Sequence, residues 1–178
     1  MNYTKILPFD LANGTGIRVS LFLSGCNFHC PDCFNQESQR FDYGKPFTSN
    51  TVDTIFELIS NPYVSGLSLL GGDPLWQDES GLKELIALAN AIRQRSKTVW
   101  IWSGFTWEEI KSSKDLSMEA KLRQLLVESC NVFVDGRFDK NLKDLTLKWR
   151  GSSNQRVIDV QKSLEAGQIV LYKEKNTI

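Results

Sequence analysis

Four short apolar runs, each closed by a glycine or polar turn, restrict this chain more than any other feature. They cover residues 19–23, 66–70, 98–102 and 131–135, and they end in Ser24-Gly25, Gly71-Gly72-Asp73, Ser103-Gly104 and Gly136. Each is of ordinary strand length and too short for a helix. Helical periodicity fills the intervals. Val52, Ile55, Phe56 and Ile59 recur at i, i+3, i+4 and i+7 behind the capping candidates Thr48-Ser49-Asn50, which predicts a helix near residues 51–60. Leu82, Leu85, Ile86, Ala89 and Ile92 line one face of a longer helix near residues 80–95. Thr106-x-x-Glu109 resembles a capping box that opens a short helix. Leu122, Leu125 and Leu126 predict the inward face of a helix over residues 117–129.

Strands alternating with helices argue for an α/β fold with a mostly parallel sheet and right-handed crossovers. Functional groups in such sheets gather beyond the C-terminal strand ends, where all four turns fall. A complete eight-unit barrel takes about 250 residues, so any barrel in a chain of 178 residues is partial. No repeat, low-complexity tract or linker divides the chain, which reads as one domain over residues 1–178. Residues 1–16 read as an irregular lead-in, with Asn13-Gly14-Thr15-Gly16 as a tight turn or a substrate-facing loop. That loop is not a dinucleotide fingerprint, because the third glycine is missing and the loop precedes a strand. Residues 157–160 and 169–173 are candidates for a further strand pair.

Three of the four cysteines follow the first run directly, as Cys26-x-x-x-Cys30-x-x-Cys33. No basic segment followed by an apolar run opens the chain, so a cytoplasmic protein is expected and a disulfide framework is not. In a reducing compartment a tight cysteine cluster holds metal or does redox work. Structural zinc normally takes four protein ligands. Cys130 lies about 100 residues away in sequence and reads as a small buried apolar residue. His29 would strain to reach an ion already held by its neighbour Cys30, and reads as a packing or surface residue of the loop. A cubane 4Fe-4S cluster fits three ligands better and leaves one iron open to a substrate; zinc stays as the alternative. Charge excludes other classes. Lys+Arg and Asp+Glu both number 21, so no bulk field favours nucleic acid or an anionic membrane surface. No apolar run approaches the roughly 18 residues of a membrane span.

The cysteine spacing after a first strand resembles the radical S-adenosylmethionine superfamily. Phe34 after the third cysteine adds to the likeness, as does Gly71-Gly72-Asp73-Pro74 in the place of a Gly-Gly-Glu-type motif. A wider set is similar to the family of anaerobic ribonucleoside-triphosphate reductase-activating proteins over residues 1 to about 158. It comprises Asn13-Gly14-x-Gly16-x-Arg18, Leu21-Phe22-x-Ser24-Gly25-Cys26, Cys33-Phe34-Asn35, residues 100–105, Val134-Asp135-Gly136-x-Phe138, and Arg150-Gly151-Ser152-Ser153-Asn154-Gln155-Arg156. The chain has Asp73 for the Glu of the superfamily motif, and departs from the wider pattern at Ser103, where Thr is more usual, and at Asp32, where Gly is common.

The resemblance implies a glycyl-radical activating enzyme on a partial (βα) barrel of the radical S-adenosylmethionine type. Cys26, Cys30 and Cys33 would ligate one 4Fe-4S cluster. S-adenosylmethionine would chelate the open iron, with Asp32, Cys33, Phe34, Gly71, Gly72 and Asp73 as its contacts. A flavodoxin-type donor would supply the electron that splits the cofactor into methionine and a 5′-deoxyadenosyl radical. That radical would take a hydrogen atom from a glycine of the partner reductase, and no side-chain acid or base is needed. A homodimer stays open. Residues 150–156 read as a surface loop, a partner contact or a site closure. Trp100 and Trp102 alternate with Val99 and Ile101, so one of the two faces is core. Two rivals remain: a small-molecule radical enzyme of the 7-carboxy-7-deazaguanine synthase type, and a zinc-stabilised binding module.

Overall fold

The computed structural model describes residues 1–174, so positions 175–178 of the expected single domain lie outside the described residues. The first expected run becomes a strand, Ile17–Leu23, but another strand precedes it. This β1 (Asn2–Asp10) pairs antiparallel with β2 (Ile17–Leu23), which corrects the irregular lead-in expected over residues 1–16. Pro8 offers the ladder no donor, and register shifts at Tyr3/Lys5 and Leu7/Asp10 scramble the burial pattern. No period of two marks the strand as a result. A two-residue β3 (Lys45–Pro46) lies on its outer side.

The other runs form β4 (Val64–Gly71), β5 (Thr98–Trp102) and β6 (Val132–Asp135), joined in parallel to β2 in that order. A seventh strand, β7 (Arg156–Asp159), lies antiparallel to β6. The sheet is open, with the order β3-β1-β2-β4-β5-β6-β7. The expectation of a mostly parallel sheet is therefore corrected: three pairings are parallel and three antiparallel. Parallel neighbours need a long crossover, usually a helix. None of the connections behind the antiparallel pairs has an α-helix in it.

Helices α1 (Ser49–Ile59), α2 (Glu79–Gln94), α3 (Trp107–Lys111), α4 (Met118–Glu128) and α5 (Val160–Ala166) supply one layer. The capping box at Thr106 forms with both of its hydrogen bonds, and Thr48 caps α1 as the sequence suggests. Leu125, expected to face inward, is 49% exposed, and Val127 takes a core position on α4 instead. The strand expected over 157–160 gives way at Val160 to α5, capped by Asp159. The segment near 169–173 does lie along β7, through one bridge between Ile158 and Leu171.

Alternation along the strands decides the two faces. Val19, Leu21 and Leu23, with Leu67, Leu69, Val99, Ile101 and Phe133, are fully buried against the helices. The opposite parity carries Arg18, Ser20, Ser68 and Trp100, also buried. That face is covered by side chains from loops: Trp149 and Tyr172 each pack edge-on against Trp100 at 5.0 Å. The helical layer is thus a hydrophobic core, whereas the other face is polar and aromatic.

Candidate metal and cofactor site

The cysteine loop begins where β2 ends, and its root is stitched to the segment that returns beside it. Gly25 N donates to Ser38 O (2.8 Å) and Cys26 N to Gln39 O (3.0 Å), while Ser24 Oγ donates to Tyr43 O (2.8 Å). Gly25 has φ of +100°, and a Cβ there would meet the Phe41 ring at 2.3 Å, so only glycine fits. Cys33 N closes a turn onto Cys30 O at 3.2 Å, and Asn35 Nδ2 reaches Gly71 O at 3.2 Å. Cys26, Cys30 and Cys33 are free and half-buried on this loop. Burial, then the charge of Asp73, push the Cys26 thiol up to about 12. Burial and Cys33 also raise Cys30, while the Phe138 N–H and the Arg137 charge oppose the shift. A bound metal supplies the positive charge that turns such thiols into thiolates.

The neighbouring strand ends close around this loop, as their glycine and polar turns predict. Gly72 N donates to Leu23 O (2.8 Å) and Asp73 N to Gly25 O (2.8 Å). A Cβ on Gly72 would strike Ser38 O and Gly25 O at 2.4 and 2.6 Å, so close backbone approach already requires this glycine. Asp73 is 1% exposed. Its Oδ1 accepts from Leu75 N, and its Oδ2 accepts from Ser103 Oγ and Gly104 N, each at 2.8 Å. The carboxylate therefore ties the end of β4 to the end of β5. Burial pushes it up to about 6 against the pull of those donors.

Sequence reasoning did not single out the aromatic knot that seats the loop. Phe28, from between the cysteines, packs edge-on against Trp76 (5.5 Å) and Phe105 (4.8 Å), and Gly104 leaves room for its ring. Arg137 stacks over the Phe28 ring at 4.4 Å, and Arg123 lies over Trp76 at 5.1 Å. The available signal was a large apolar residue in an otherwise polar loop.

The expected site residues divide. The three thiols, Gly71, Gly72 and Asp73 come together at this edge. Asp32 and Phe34 sit on the loop's outer side: Asp32 lies 3.6 Å from Lys140 Nζ, and Phe34 is 97% exposed. His29 is held by Gln39 Oε1 at 3.1 Å. Cys130 lies in the helical core with its Sγ on Leu126 O (3.2 Å), where burial holds its thiol far above the ordinary range. The Asn13–Gly16 turn lies at the other end of β2, roughly 20 Å along the strand from the thiols. A groove of about 390 Å³ lined by Phe47, Val52, Phe56 and Leu88 sits on the helical side, away from this chemistry.

The donor set fits an iron–sulfur cluster. Three thiols share one loop, and neither Cys130 nor His29 is placed to add a fourth ligand. Three protein ligands are one short of the four that structural zinc normally takes, whereas a cubane cluster can use three.

Comparison with known proteins agrees. A family model described as a 4Fe-4S single cluster domain matches residues 12–158. The chain is 37% identical over 161 residues to the anaerobic ribonucleoside-triphosphate reductase-activating protein of Escherichia coli K12, covering 88% of this chain and 97% of that protein. The protein of that name from Enterobacteria phage T4 is 37% identical over 158 residues, covering 88% and 93%. That from Pasteurella multocida is 33% identical over 159 residues, covering 87% and 95%.

Proposed function

We infer the function from the family: the chain belongs to the anaerobic ribonucleoside-triphosphate reductase-activating proteins and carries their 4Fe-4S single cluster domain. It is an activating enzyme whose protein substrate is the anaerobic reductase. The observation that carries this reading is a loop with three free thiols and no fourth protein ligand, walled by the ends of the next three parallel strands.

Cys26, Cys30 and Cys33 would hold the cluster, and the strand-end turns beside them would hold S-adenosylmethionine. The bound groups would supply one-electron chemistry, a reductive cleavage of S-adenosylmethionine whose radical product would take a hydrogen atom from a glycine of the reductase. The chain's own groups position and exclude. Asp32, Cys33 and Phe34 are kept as contacts of S-adenosylmethionine, although Asp32 and exposed Phe34 face the loop's outer side and would have to turn inward to touch it. Gly71 and Gly72 keep the end of β4 against the loop. Asp73, its carboxylate committed to three donors, shapes the pocket wall through the loops it joins. We read the parallel strands β2, β4, β5 and β6 as the wall of a partial barrel of the radical S-adenosylmethionine type, with the cofactor received at their C-terminal ends. The whole chain acts as one such domain, and a flavodoxin-type protein is the electron donor. Among the described residues no helix is long and apolar enough to cross a membrane.

Anaerobic reconstitution tests this directly. The protein should take up about four irons, cleave S-adenosylmethionine to 5′-deoxyadenosine with reductant, and give a glycine-centred paramagnetic doublet only with the reductase present. Four-iron protein that made no 5′-deoxyadenosine with strong reductant and reductase would refute the reading. One bound zinc and no iron would favour a binding module.

A further inference from the structure

The polar block at residues 150–156 is a surface loop with long-range contacts of its own. It is folded back onto the chain segment that leaves β6, through three side-chain bonds to backbone groups and one to a carboxylate. Gln155 Nε2 donates to Gly136 O (2.9 Å), and Asn154 Nδ2 donates to Arg137 O (2.8 Å). Ser152, fully buried, accepts at Oγ from Asp139 N (3.2 Å). Arg156 Nε donates to Asp135 Oδ1 (3.0 Å). Gln155 Oε1 in turn accepts from Gly151 N (2.8 Å) and Ser152 N (3.2 Å), so the block also holds its own shape. Four side chains of the block thus grip backbone or carboxylate groups between residues 135 and 139.

The gripped segment faces the cysteine loop. Arg137 is clamped by both oxygens of Glu109, at 3.0 and 3.2 Å, with its guanidinium over the Phe28 ring. Lys140 reaches Asp32, between Cys30 and Cys33. Phe138 rests on Gly151, where a Cβ would come within 3.1 Å of its ring. The chain of contact therefore runs from the block, through residues 136–140, to the Cys30 side of the loop.

We propose that Asn154 and Gln155 are positioning residues for the cluster: by holding residues 136–139 they keep the Arg137 guanidinium over Phe28, two residues from Cys30. Neither touches a reacting atom. The effect on the cluster rests on the cluster assignment made above, whereas the mechanical coupling does not. A positive charge held beside the loop that carries the cluster favours the reduced, more negative state, since local charge helps to set the potential.

The test uses Asn154→Ala, Gln155→Met and the pair, with Ser153→Ala as a control from the same block. The first measurement is hydrogen exchange on metal-free protein, which needs no cluster. Exchange should accelerate both at residues 136–140 and at residues 26–33 in the Asn154 and Gln155 variants, and at neither in the control. Acceleration confined to 136–140 would overturn the proposal, because the block would then be a local support only. The second measurement is the midpoint potential of the four-iron protein. Reduction should become about tenfold less favourable in the paired variant, a shift of about 59 mV for one electron, with the same four irons retained. An unchanged potential with a raised KM for the reductase would overturn the proposal in favour of partner contact. Failure of wild-type protein to take up iron would sink the cluster assignment and the claim on potential, while the exchange result still decides the coupling. If Gln155→Met fails to fold, Asn154→Ala, at an exposed position, carries both measurements.

Discussion

Two charged side chains are buried at opposite ends of the parallel strands, and they are held differently. Arg18, at the N-terminal ends, is 0% exposed. Its guanidinium donates to Ser68 Oγ (2.6 Å), Thr98 Oγ1 (3.0 Å), Leu67 O (2.6 Å), Thr98 O (3.0 Å) and Thr15 O (3.4 Å), and it lies 5.4 Å from the Trp100 ring. Asp73, at the C-terminal ends, is held by one hydroxyl and two loop amides. Neither forms an ion pair among the described residues. Burial drives each toward its neutral form, Arg18 down to about 9 and Asp73 up to about 6, and neutral hydrogen bonds offset the cost. The partners make the difference. Arg18, on β2, is bonded to the two neighbouring strands β4 and β5, so its failure is a failure of folding. Asp73 is bonded to loops, so its failure leaves the sheet standing and displaces the site.

The largest expected effect asks whether the C-terminal edge alone is the chemical one. Cys26→Ala, Cys30→Ala or Cys33→Ala should abolish four-iron uptake, measured as iron and sulfide per chain, whereas Cys130→Ala should keep it. Loss of the cluster in Cys130→Ala would erase the division between the edge and the core. Next comes Arg18→Met, which strands buried acceptors on β4 and β5. It should cost about 3–5 kcal/mol in urea unfolding, with normal iron uptake by the fraction that folds. Arg18→Lys should rescue little, because a single ammonium cannot spread five donors over this arrangement. A wild-type unfolding midpoint in Arg18→Met would show that the N-terminal end is not a structural joint.

The two ends were not equally legible. The cysteine edge could be read because its signals are local: a spacing of thiols, then three glycine turns that each end an apolar run. The Arg18 end could not, although Asn13-Gly14-x-Gly16-x-Arg18 stood out as a motif. Gly14 has φ of +116°, and a Cβ there would fall 2.6 Å from Arg18 Cδ, which the sequence expresses only as a glycine near an arginine. Ser68 completes the joint from 50 residues away by passing a hydrogen bond on to Asn13 O. β1 escaped notice because Pro8 and two register shifts hide its alternation. Leu125 was misplaced because the inward face of α4 turns toward Leu122, Leu126 and Val127. The block at 150–156 drew attention by composition, but its partners lie across a β6–β7 connection that no periodicity describes.

A smaller effect is expected at Asp73. Asp73→Asn keeps the shape and removes the buried charge, but an amide cannot accept all three hydrogen bonds. Stability should fall by about 1–2 kcal/mol, well short of Arg18→Met. The specific sign should be local: hydrogen exchange at residues 103–105 should quicken, and S-adenosylmethionine should bind more weakly to the four-iron protein. Equal loss of global stability in Asp73→Asn and Arg18→Met, with no local quickening, would mean that both ends serve the fold alone.

The smallest effect lies at the outer rim of the same edge, where Glu108 meets Arg156 at 2.7 and 3.0 Å. The hydrogen bond from Arg156 holds the Glu108 carboxyl down to about 2. A carboxyl lowered in the folded state stabilises the protein above its unfolded value, here 4.5, and loses that contribution as pH falls through about 2. Its side chain is 57% exposed, so solvent screens the pair and the contribution is at most about 1 kcal/mol. Glu108→Gln should lower stability by that amount at pH 7 and by almost nothing near pH 2, as read by urea unfolding across the range. Arg156 keeps Asp135, 1% exposed, in either case, so the segment after β6 and the iron content should not change. A pH-independent difference between wild type and Glu108→Gln would mean that Glu108 acts through packing on Arg156. The exposed rim would then belong with the Arg18 end, as a structural joint, and not with the titrating surface of the site.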